Sequence, residues 1–369
     1  MSISLLRRLP RQLVLLACLG AVLPAAHGAT PEQLPALNID IHETSISGLS
    51  SGAFMAVQFQ VAYSSIVKGA GVVAGGPYYC SQGDVLRATT LCSCTFDPAH
   101  QVCSVSPSST DVPALLGDTR RFAAQGTIDD PANLARQRIL IVAGAKDQIV
   151  PTLVAAQLAD YYRQMAVPAA NVSDVRLSNA AHTMPTVAYG DACGVAESPY
   201  LGKCQYDAAK AILSWIYGPL KAPPPGKTEG RFVQFDQTPY LSKNGFLWSS
   251  GMDSSGWAYI PSACAKGEAC RLHVALHGCK QGQSYLPLTP VPGGGLYYGT
   301  TFVRHAGYDT WAENNHLVIL YPQAVSIPGK NPDGCWDWWG YTGENFATQQ
   351  GIQLSAIRAM VGQLTSGRP

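Results

Sequence analysis

Short apolar runs alternate with amphipathic stretches along most of the chain. Apolar runs of about four to eight residues bounded by glycine or proline are typical of buried strands. They predict strands at residues 44–47, 67–74, 138–144, 173–178, 232–235, 257–260, 272–276 and 317–321. Stretches with an apolar face predict helices at residues 51–63, 151–165, 207–217, 303–314 and 347–364. This alternation favours an α/β fold, with a mostly parallel central sheet and helices on both of its faces.

Two segments interrupt the alternation. Residues 80–130 lack a clear period and contain four cysteines, which predicts an irregular excursion held by disulfides. Residues 221–227 (KAPPPGK) form a stiff, proline-rich connector. Because this connector is only a few residues long, we expect one catalytic domain over residues 29–369, with a seam near residues 219–230.

The N-terminus has the pattern of a secretory signal. Three arginines precede an apolar run from Leu13 to Leu23, and Ala26-His27-Gly28 follows as a small-x-small cleavage site. The run is shorter than the roughly 20 apolar residues of a membrane-spanning helix. We therefore expect residues 1–28 to be a signal peptide. The protein would be secreted, or periplasmic in a Gram-negative source.

The cysteine count supports export. Of the 11 cysteines, Cys18 would leave with the signal, and the others could form up to five disulfides in an oxidising compartment. Sequence does not determine their connectivity. Short loops favour the pairs Cys193 with Cys204 and Cys264 with Cys270. The cysteines of residues 80–130 could pair among themselves, which leaves the remaining two, Cys279 and Cys335.

Composition excludes several classes of protein. Charged residues are 13% and hydrophobic residues 47% of the 369 residues, the opposite of a disordered chain. A net charge of +1 provides no electrostatic footprint for nucleic acid or an anionic membrane. We expect no nucleic-acid partner, no stable membrane association and a monomer. No Cys-x2-Cys pair occurs, and His273 and His277 lie in a strand-like run, so no metal or cofactor is expected.

One motif carries the chemistry. Gly48-Leu49-Ser50-Ser51-Gly52 matches G-x-S-x-G between a predicted strand and a predicted helix, which is the context of a nucleophile elbow. The glycines allow a sharp turn that raises the Ser50 hydroxyl clear of the sheet. The backbone N–H of the next residue, Ser51, can then face an oxyanion. In a chain rich in glycine and serine, the alternative interpretation is a plain turn.

A nucleophilic serine needs a base and an acid that orients it. In the order Ser…Asp…His, these two residues should follow later strands. Asp147 stands just after the strand predicted at 138–144, and His182 follows the one at 173–178. Taken alone, Asp147 could be a helix cap and His182 a surface loop residue. Their order behind Ser50 favours a catalytic triad.

The second oxyanion donor is expected at a His-Gly motif after a strand. The residues before Ser50 leave no room for the earlier strands of a hydrolase. His277-Gly278-Cys279 has the right form, and it follows the strand predicted at 272–276. The four strands after the proline-rich connector would then be those that normally precede the elbow. The chain is therefore predicted to be circularly permuted, with the connector joining the old termini.

These motifs together resemble the extracellular poly(3-hydroxybutyrate) depolymerases. The resemblance rests on residues 48–52, His277-Gly278-Cys279, Leu320–Gln323 (LYPQ) and Asn331–Gly340 (NPDGCWDWWG), and it covers nearly all of the mature chain. Within that family the chain is most similar to the single-domain, circularly permuted members. The tryptophan-rich block is more specific than the serine motif.

The resemblance implies a single-domain α/β-hydrolase that acts as a serine esterase. Carried over by motif, Ser50 is the nucleophile, His182 the base and Asp147 its orienting acid. The oxyanion hole is formed by the N–H groups of Ser51 and Cys279, and a Cys279–Cys335 disulfide joins the two loops. The residues implied or suggested as lining the substrate crevice are Trp336, Asn331 and Tyr78.

The substrate class has alternatives. The resemblance implies a polyester or oligoester substrate and cleavage of poly(3-hydroxybutyrate) or related polyhydroxyalkanoates. Many family members carry a separate polymer-binding module; we expect none after the last predicted helix here, so that adhesion would use the apolar surface of the catalytic domain. A feruloyl or acetyl esterase, or an aromatic polyester hydrolase, would use the same machinery. A secreted binding protein without activity is disfavoured by the intact triad.

Overall fold

An eight-stranded β-sheet runs through the protein in the computed structural model. The structure describes residues 30–96, 101–223, 229–241, 247–288, 291 and 294–369. The strands are β1 (Ile39–Leu49), β2 (Val67–Val73), β3 (Arg138–Gly144), β4 (Val172–Leu177), β5 (Met184–Thr186), β6 (Asp191–Ala192), β7 (Leu201–Lys203), β8 (Arg231–Asp236), β9 (Ser255–Ile260), β10 (Cys270–Leu276) and β11 (Leu317–Tyr321). Strands β5, β7 and β6 form a separate small sheet that the sequence pattern did not predict.

Helices connect and cover the strands. They are α1 (Ser51–Ala62), α2 (Val85–Thr90), α3 (Val112–Ala124), α4 (Thr152–Gln164), α5 (Ala208–Tyr217), α6 (Leu247–Ser250), α7 (Ser262–Ala265), α8 (Thr301–His305), α9 (Tyr308–Ala312) and α10 (Ile352–Thr365). None of those in the described ranges has the length and apolar character needed to cross a bilayer. The predicted α/β fold with a mainly parallel sheet is confirmed.

The order of the main sheet is β4-β3-β2-β1-β10-β11-β9-β8. All neighbours pair in parallel except β9, which is antiparallel to both β11 and β8. The carboxyl ends of β1, β3, β4 and β10 therefore meet at one edge. The strands that follow the proline-rich connector form one half of the sheet, and β1 to β4 form the other. This division supports the predicted permutation, which stays a prediction.

Helix α1 lies in the interior and gives the elbow a rigid base. Every residue of α1 is buried, which agrees with its apolar character on all sides. Its two glutamines are bonded inside the protein: Gln58 Nε2 donates to the Asp337 carbonyl (2.9 Å) and Gln60 Nε2 to Gln137 Oε1 (2.8 Å). A buried helix with satisfied polar groups holds its first turn in a fixed position.

Two sequence predictions about helices were wrong. Residues 303–314 form two short helices, α8 and α9, because Gly307 has φ 92° and breaks the helical path. Residues 80–130, predicted as irregular, contain α2 and α3. Asp84 and Asp111 cap these helices by accepting backbone N–H bonds, a local signal that the missing apolar period obscured.

Five disulfides pin the loops around the sheet. They are Cys80–Cys92, Cys94–Cys103, Cys193–Cys204, Cys264–Cys270 and Cys279–Cys335. Residues 31–369 form one compact unit. The signal predicted at residues 1–28 lies outside the described residues, as do residues 224–228 of the predicted seam.

Candidate active site

Ser50 occupies a strained turn between β1 and α1. Its backbone has φ 56° and ψ −122°, which a residue with a side chain rarely adopts. Glycine is needed on both sides, because a Cβ on Gly48 would lie 2.2 Å from the Gly52 carbonyl oxygen. A Cβ on Gly52 would lie 2.3 Å from the carbonyl oxygen of His277. The turn leaves Ser50 half-buried at the carboxyl edge of the sheet.

His182 and Asp147 form a buried pair. His182 Nδ1 lies 2.8 Å from Asp147 Oδ2, and the two side chains are 5% and 0% exposed. Asp147 Oδ1 accepts the backbone N–H groups of Ile149 and Val150, each at 2.8 Å. An ionised carboxylate only accepts hydrogen bonds, so His182 donates from Nδ1 and Nε2 is left as an acceptor. No hydrogen bond joins Ser50 and His182 within the described residues, and such bonds commonly tighten when substrate binds.

A chain of contacts connects His182 to the elbow. The Tyr200 ring stands edge-on to the His182 ring, with centroids 5.9 Å apart. The Tyr200 carbonyl accepts from Gln281 Nε2 (3.2 Å), and Gln281 Oε1 accepts from the Gly278 N–H (2.6 Å). A Cβ on Gly278 would lie 3.3 Å from Ser50 Cβ. The histidine and the serine therefore border the same loop.

Two backbone N–H groups beside Ser50 have no acceptor in the described part of the chain. One belongs to Ser51, the first residue of α1, where helical N–H groups lack a partner within the helix. The other belongs to Cys279, in the loop after β10. Free N–H groups next to a nucleophilic hydroxyl are the arrangement that stabilises a developing oxyanion.

Trp336 is hydrogen-bonded to both segments that carry these N–H groups. Its indole Nε1 donates to the His277 carbonyl (2.9 Å), and its backbone N–H donates to Ser51 Oγ (3.3 Å). The Cys279–Cys335 disulfide ties the same two loops together. The loop after β10 and the start of α1 are thus held in one arrangement.

The three residues predicted to line a substrate crevice are buried in this structure, and their contact with a substrate stays a prediction. Trp336 and Tyr78 are 0% exposed and Asn331 is 1% exposed. Tyr78 donates to the Ala347 carbonyl (2.7 Å), and the Asn331 amide bonds to the backbone N–H and carbonyl of Cys335 (2.9 and 2.8 Å). These hydrogen bonds support the loops behind Ser50. The pattern placed them near the serine but did not show which way they face.

The rest of the tryptophan block is also mostly interior. Trp338 stacks on Phe54 with centroids 4.0 Å apart, while Trp339 is half-buried and packs edge-on against Trp338. Asp337 is bonded locally: its carboxylate accepts the backbone N–H groups of residues 340–342. Burial raises the pKa of this carboxyl group, and these bonds oppose the rise.

Two buried histidines flank the site on and after β10. Burial lowers the pKa of His273 to about 3 and that of His277 to about 4, so both rings are neutral near pH 7. His273 bridges Ser45 Oγ (2.6 Å) and Ser47 Oγ (2.7 Å) on β1. No group of three or more histidine, cysteine or acidic side chains in the described ranges could hold a metal ion.

Sequence reasoning missed two residues of this region. Gln281 holds the Gly278 N–H, and Tyr200 packs on His182. Gln281 could have been predicted from the sequence, because an amide three residues after a His-Gly pair can reach back to the turn. No sequence pattern indicated Tyr200, because it reaches the histidine through the small sheet of β5 to β7.

The chain is similar in sequence to known depolymerases. The chain is 40% identical over 338 residues to a poly(3-hydroxybutyrate) depolymerase of Delftia acidovorans, a match that covers 90% of this chain and 62% of that relative. It is 36% identical over 367 residues to a polyhydroxybutyrate depolymerase of Talaromyces funiculosus, covering 95% and 96% of the two chains. No family model matches the sequence.

Solved structures agree with these sequence matches. A PHB depolymerase complexed with an R3HB trimer has a TM-score of 0.78 at 34% identity. The crystal structure of PHB depolymerase from Penicillium funiculosum has a TM-score of 0.77 at 35% identity. Each match covers 91% of this chain and 100% of the other.

The mainly parallel sheet and the strained serine turn at its carboxyl edge define an α/β-hydrolase. Within that class, the relative from Talaromyces funiculosus, which is matched over 96% of its length, identifies the family. The chain belongs to the poly(3-hydroxybutyrate) depolymerase family.

Proposed function

We propose that the protein is a secreted, monomeric serine esterase that hydrolyses ester bonds of poly(3-hydroxybutyrate) or related polyhydroxyalkanoates, without a metal or cofactor. One observation carries the proposal: the serine turn, the buried His182–Asp147 pair and two unpaired N–H groups meet at one edge of the sheet. The relatives' names supply the substrate class.

The arrangement supports an acyl-enzyme route. Ser50 Oγ attacks the ester carbonyl carbon while His182 Nε2 takes the hydroxyl proton, and Asp147 stabilises the imidazolium that forms. The N–H groups of Ser51 and Cys279 bind the oxyanion of the tetrahedral species. Its collapse breaks the ester bond, and His182 protonates the leaving alcohol. Water then attacks the acyl group, gives its proton to His182, and the acid leaves as Ser50 regains its proton.

A set of exposed apolar residues, here called the rim, follows two loops of this site in the chain and suits a solid polyester. The rim comprises Val187, Tyr189, Leu286, Leu288, Leu296 and Tyr297. The first two follow His182 in the chain, and the others follow the loop of Cys279. Tyr189 stacks on His305, the last residue of α8, with centroids 3.7 Å apart. Leu288 is 99% exposed, and such apolar surface favours contact with a water-insoluble, neutral substrate.

Replacing Leu286 and Leu288 together with serine is expected to slow the clearing of a polymer suspension. Each leucine contributes about 1.5 kcal/mol or more if it becomes buried against polymer, which is about tenfold in adsorption. Hydrolysis of a soluble butyrate ester should stay at the parent rate. Leu86→Ser, at an equally apolar position that is 52% exposed on α2, is the matched control. Equal slowing by Leu86→Ser would contradict a role for the rim.

The proposed function is tested by comparing substrates. The purified, secreted protein should clear a turbid poly(3-hydroxybutyrate) suspension and release 3-hydroxybutyrate or its oligomers. Release from feruloyl, acetylated-sugar and terephthalate esters should be at least about tenfold slower, because one poorly fitted group in a pocket costs roughly 1–3 kcal/mol. Faster turnover of an aromatic ester than of the polymer would overturn the substrate assignment.

A further inference from the structure

The hydrogen bonds of the buried His277 ring allow only one protonation state. The backbone N–H of Ala324 donates to Nε2 (3.1 Å), and Nδ1 lies 2.7 Å from the carbonyl oxygen of Gly278. A backbone N–H can only donate and a carbonyl oxygen can only accept. The ring must therefore be neutral, with its proton on Nδ1. The lowered pKa of His277, caused mainly by burial, agrees with a neutral ring.

The carbonyl that His277 holds belongs to the same peptide group as the Cys279 N–H. That group is trans, because the only cis peptide bond in the described residues is Ser198–Pro199. In a planar trans peptide, the C=O and N–H bonds point in opposite directions. When Nδ1–H fixes the Gly278 carbonyl on one side, it also fixes the Cys279 N–H on the other.

The ring itself cannot turn freely. His277 is 0% exposed, and its ring packs against those of Trp336 and Phe302 at centroid distances of 5.4 and 6.3 Å. A Cβ on Gly282 would lie 3.2 Å from the imidazole Cε1, so the backbone there also approaches closely. The direction of the Nδ1–H bond is therefore set by packing as well as by Ala324.

We propose that His277 is a positioning residue that aims the Cys279 N–H into the oxyanion site. The proposal rests on the proposed function, since it explains how one donor of that site is oriented. The His277 ring is hydrogen-bonded to the Gly278 carbonyl and the Ala324 N–H and not to Ser50, so it acts through the Gly278–Cys279 peptide. It requires a donor at Nδ1 together with an acceptor at Nε2, which a neutral imidazole supplies.

Two substitutions separate these requirements. In His277→Asn the amide nitrogen takes the place of Nδ1 and can still donate to Gly278, while the acceptor for Ala324 is lost. In His277→Gln the side-chain oxygen can accept from Ala324, while the donor to Gly278 is lost. Each variant leaves one backbone group unpaired, so the melting temperature should fall by similar amounts in both. A difference in activity between them then reports orientation and not stability.

The variants are assayed by the hydrolysis of a soluble butyrate ester and of its thionoester. Losing an oxyanion donor costs about 100-fold or more in kcat. We expect His277→Gln to lose about that much with KM unchanged, and His277→Asn to stay within about tenfold of the parent. The ester-to-thionoester rate ratio should fall in His277→Gln alone, because sulfur is a weaker acceptor. Equal kcat losses in the two variants, or a parent-like His277→Gln, would overturn the proposal.

A measurement that needs no turnover separates this proposal from the proposed function. Nitrogen-15 NMR of the parent protein with labelled histidine should show His277 protonated at Nδ1 and unprotonated at Nε2. Protonation at Nε2 would overturn the role of His277 whatever the activity. A parent protein that hydrolyses no ester would refute the proposed function, and the NMR result would then decide the orientation of the peptide by itself.

Discussion

Replacing Ser50 with alanine is expected to abolish ester hydrolysis, with a fall in kcat of about 10⁶-fold, as for the loss of the nucleophile in other serine hydrolases. The hydroxyl makes no hydrogen bond to any described residue, so its removal leaves no buried partner unsatisfied. The elbow backbone is held by the bond from the Ser50 N–H to the Val73 carbonyl (2.9 Å), which alanine retains. Rates on a soluble ester and labelling by a fluorophosphonate both measure the effect.

The control for this variant is a serine whose hydroxyl has only a local role. Ser355 Oγ on α10 donates to the Ile352 carbonyl (3.0 Å) and makes no other hydrogen bond in the described chain. Ser355→Ala should keep both hydrolysis and fluorophosphonate labelling. If Ser50→Ala is still labelled, or if the parent is not, then Ser50 is not the nucleophile.

Asp147→Asn should lower kcat by about 10⁴-fold while the protein stays folded. The two backbone N–H groups of Ile149 and Val150 can be satisfied only by the asparagine oxygen, which forces the amide nitrogen toward His182. That nitrogen is a donor, so Nδ1 of His182 must be unprotonated to accept its hydrogen bond. The ring then carries its proton on Nε2. The base is then unable to accept the proton of Ser50.

Asp337→Asn is the matched control for that substitution. Its carboxylate is also buried and also accepts backbone N–H groups, from residues 340–342, but it is hydrogen-bonded to no histidine. We expect a lower melting temperature with kcat near that of the parent. Comparing the two variants by thermal unfolding and steady-state kinetics separates the tautomer effect from destabilisation. A parent-like kcat in Asp147→Asn would refute the assigned role of Asp147.

The positions of chemically reactive residues followed from simple periodicity. Asp147 and His182 stand where apolar runs end, and the carboxyl ends of parallel strands share an edge. The G-x-S-x-G spacing likewise matched the turn that Ser50 makes, because only glycine tolerates the close backbone contacts there. These features depend on residues close together in the chain, so they can be predicted from the sequence.

Features that depend on direction were not predictable. Trp336 could have faced a cleft or the interior, and its burial follows from the distant His277 carbonyl that its indole nitrogen binds. The role inferred for His277 depends on Ala324, 47 residues later in the chain. Such pairings join segments with no sequence relationship, so they become visible only when the sheet is assembled.

The position of β10 beside β1 has a consequence for biosynthesis. Ser45 on β1 and His273 on β10 are 228 residues apart, yet their side chains are hydrogen-bonded. A ribosome therefore completes the segment with the serine, the aspartate and the histidine long before the segment that carries the Cys279 N–H. On the proposed mechanism, a nascent chain lacks one oxyanion donor and cannot turn over esters efficiently. On that mechanism, efficient hydrolysis therefore waits until β10 and the loop after it have been made and have folded beside β1.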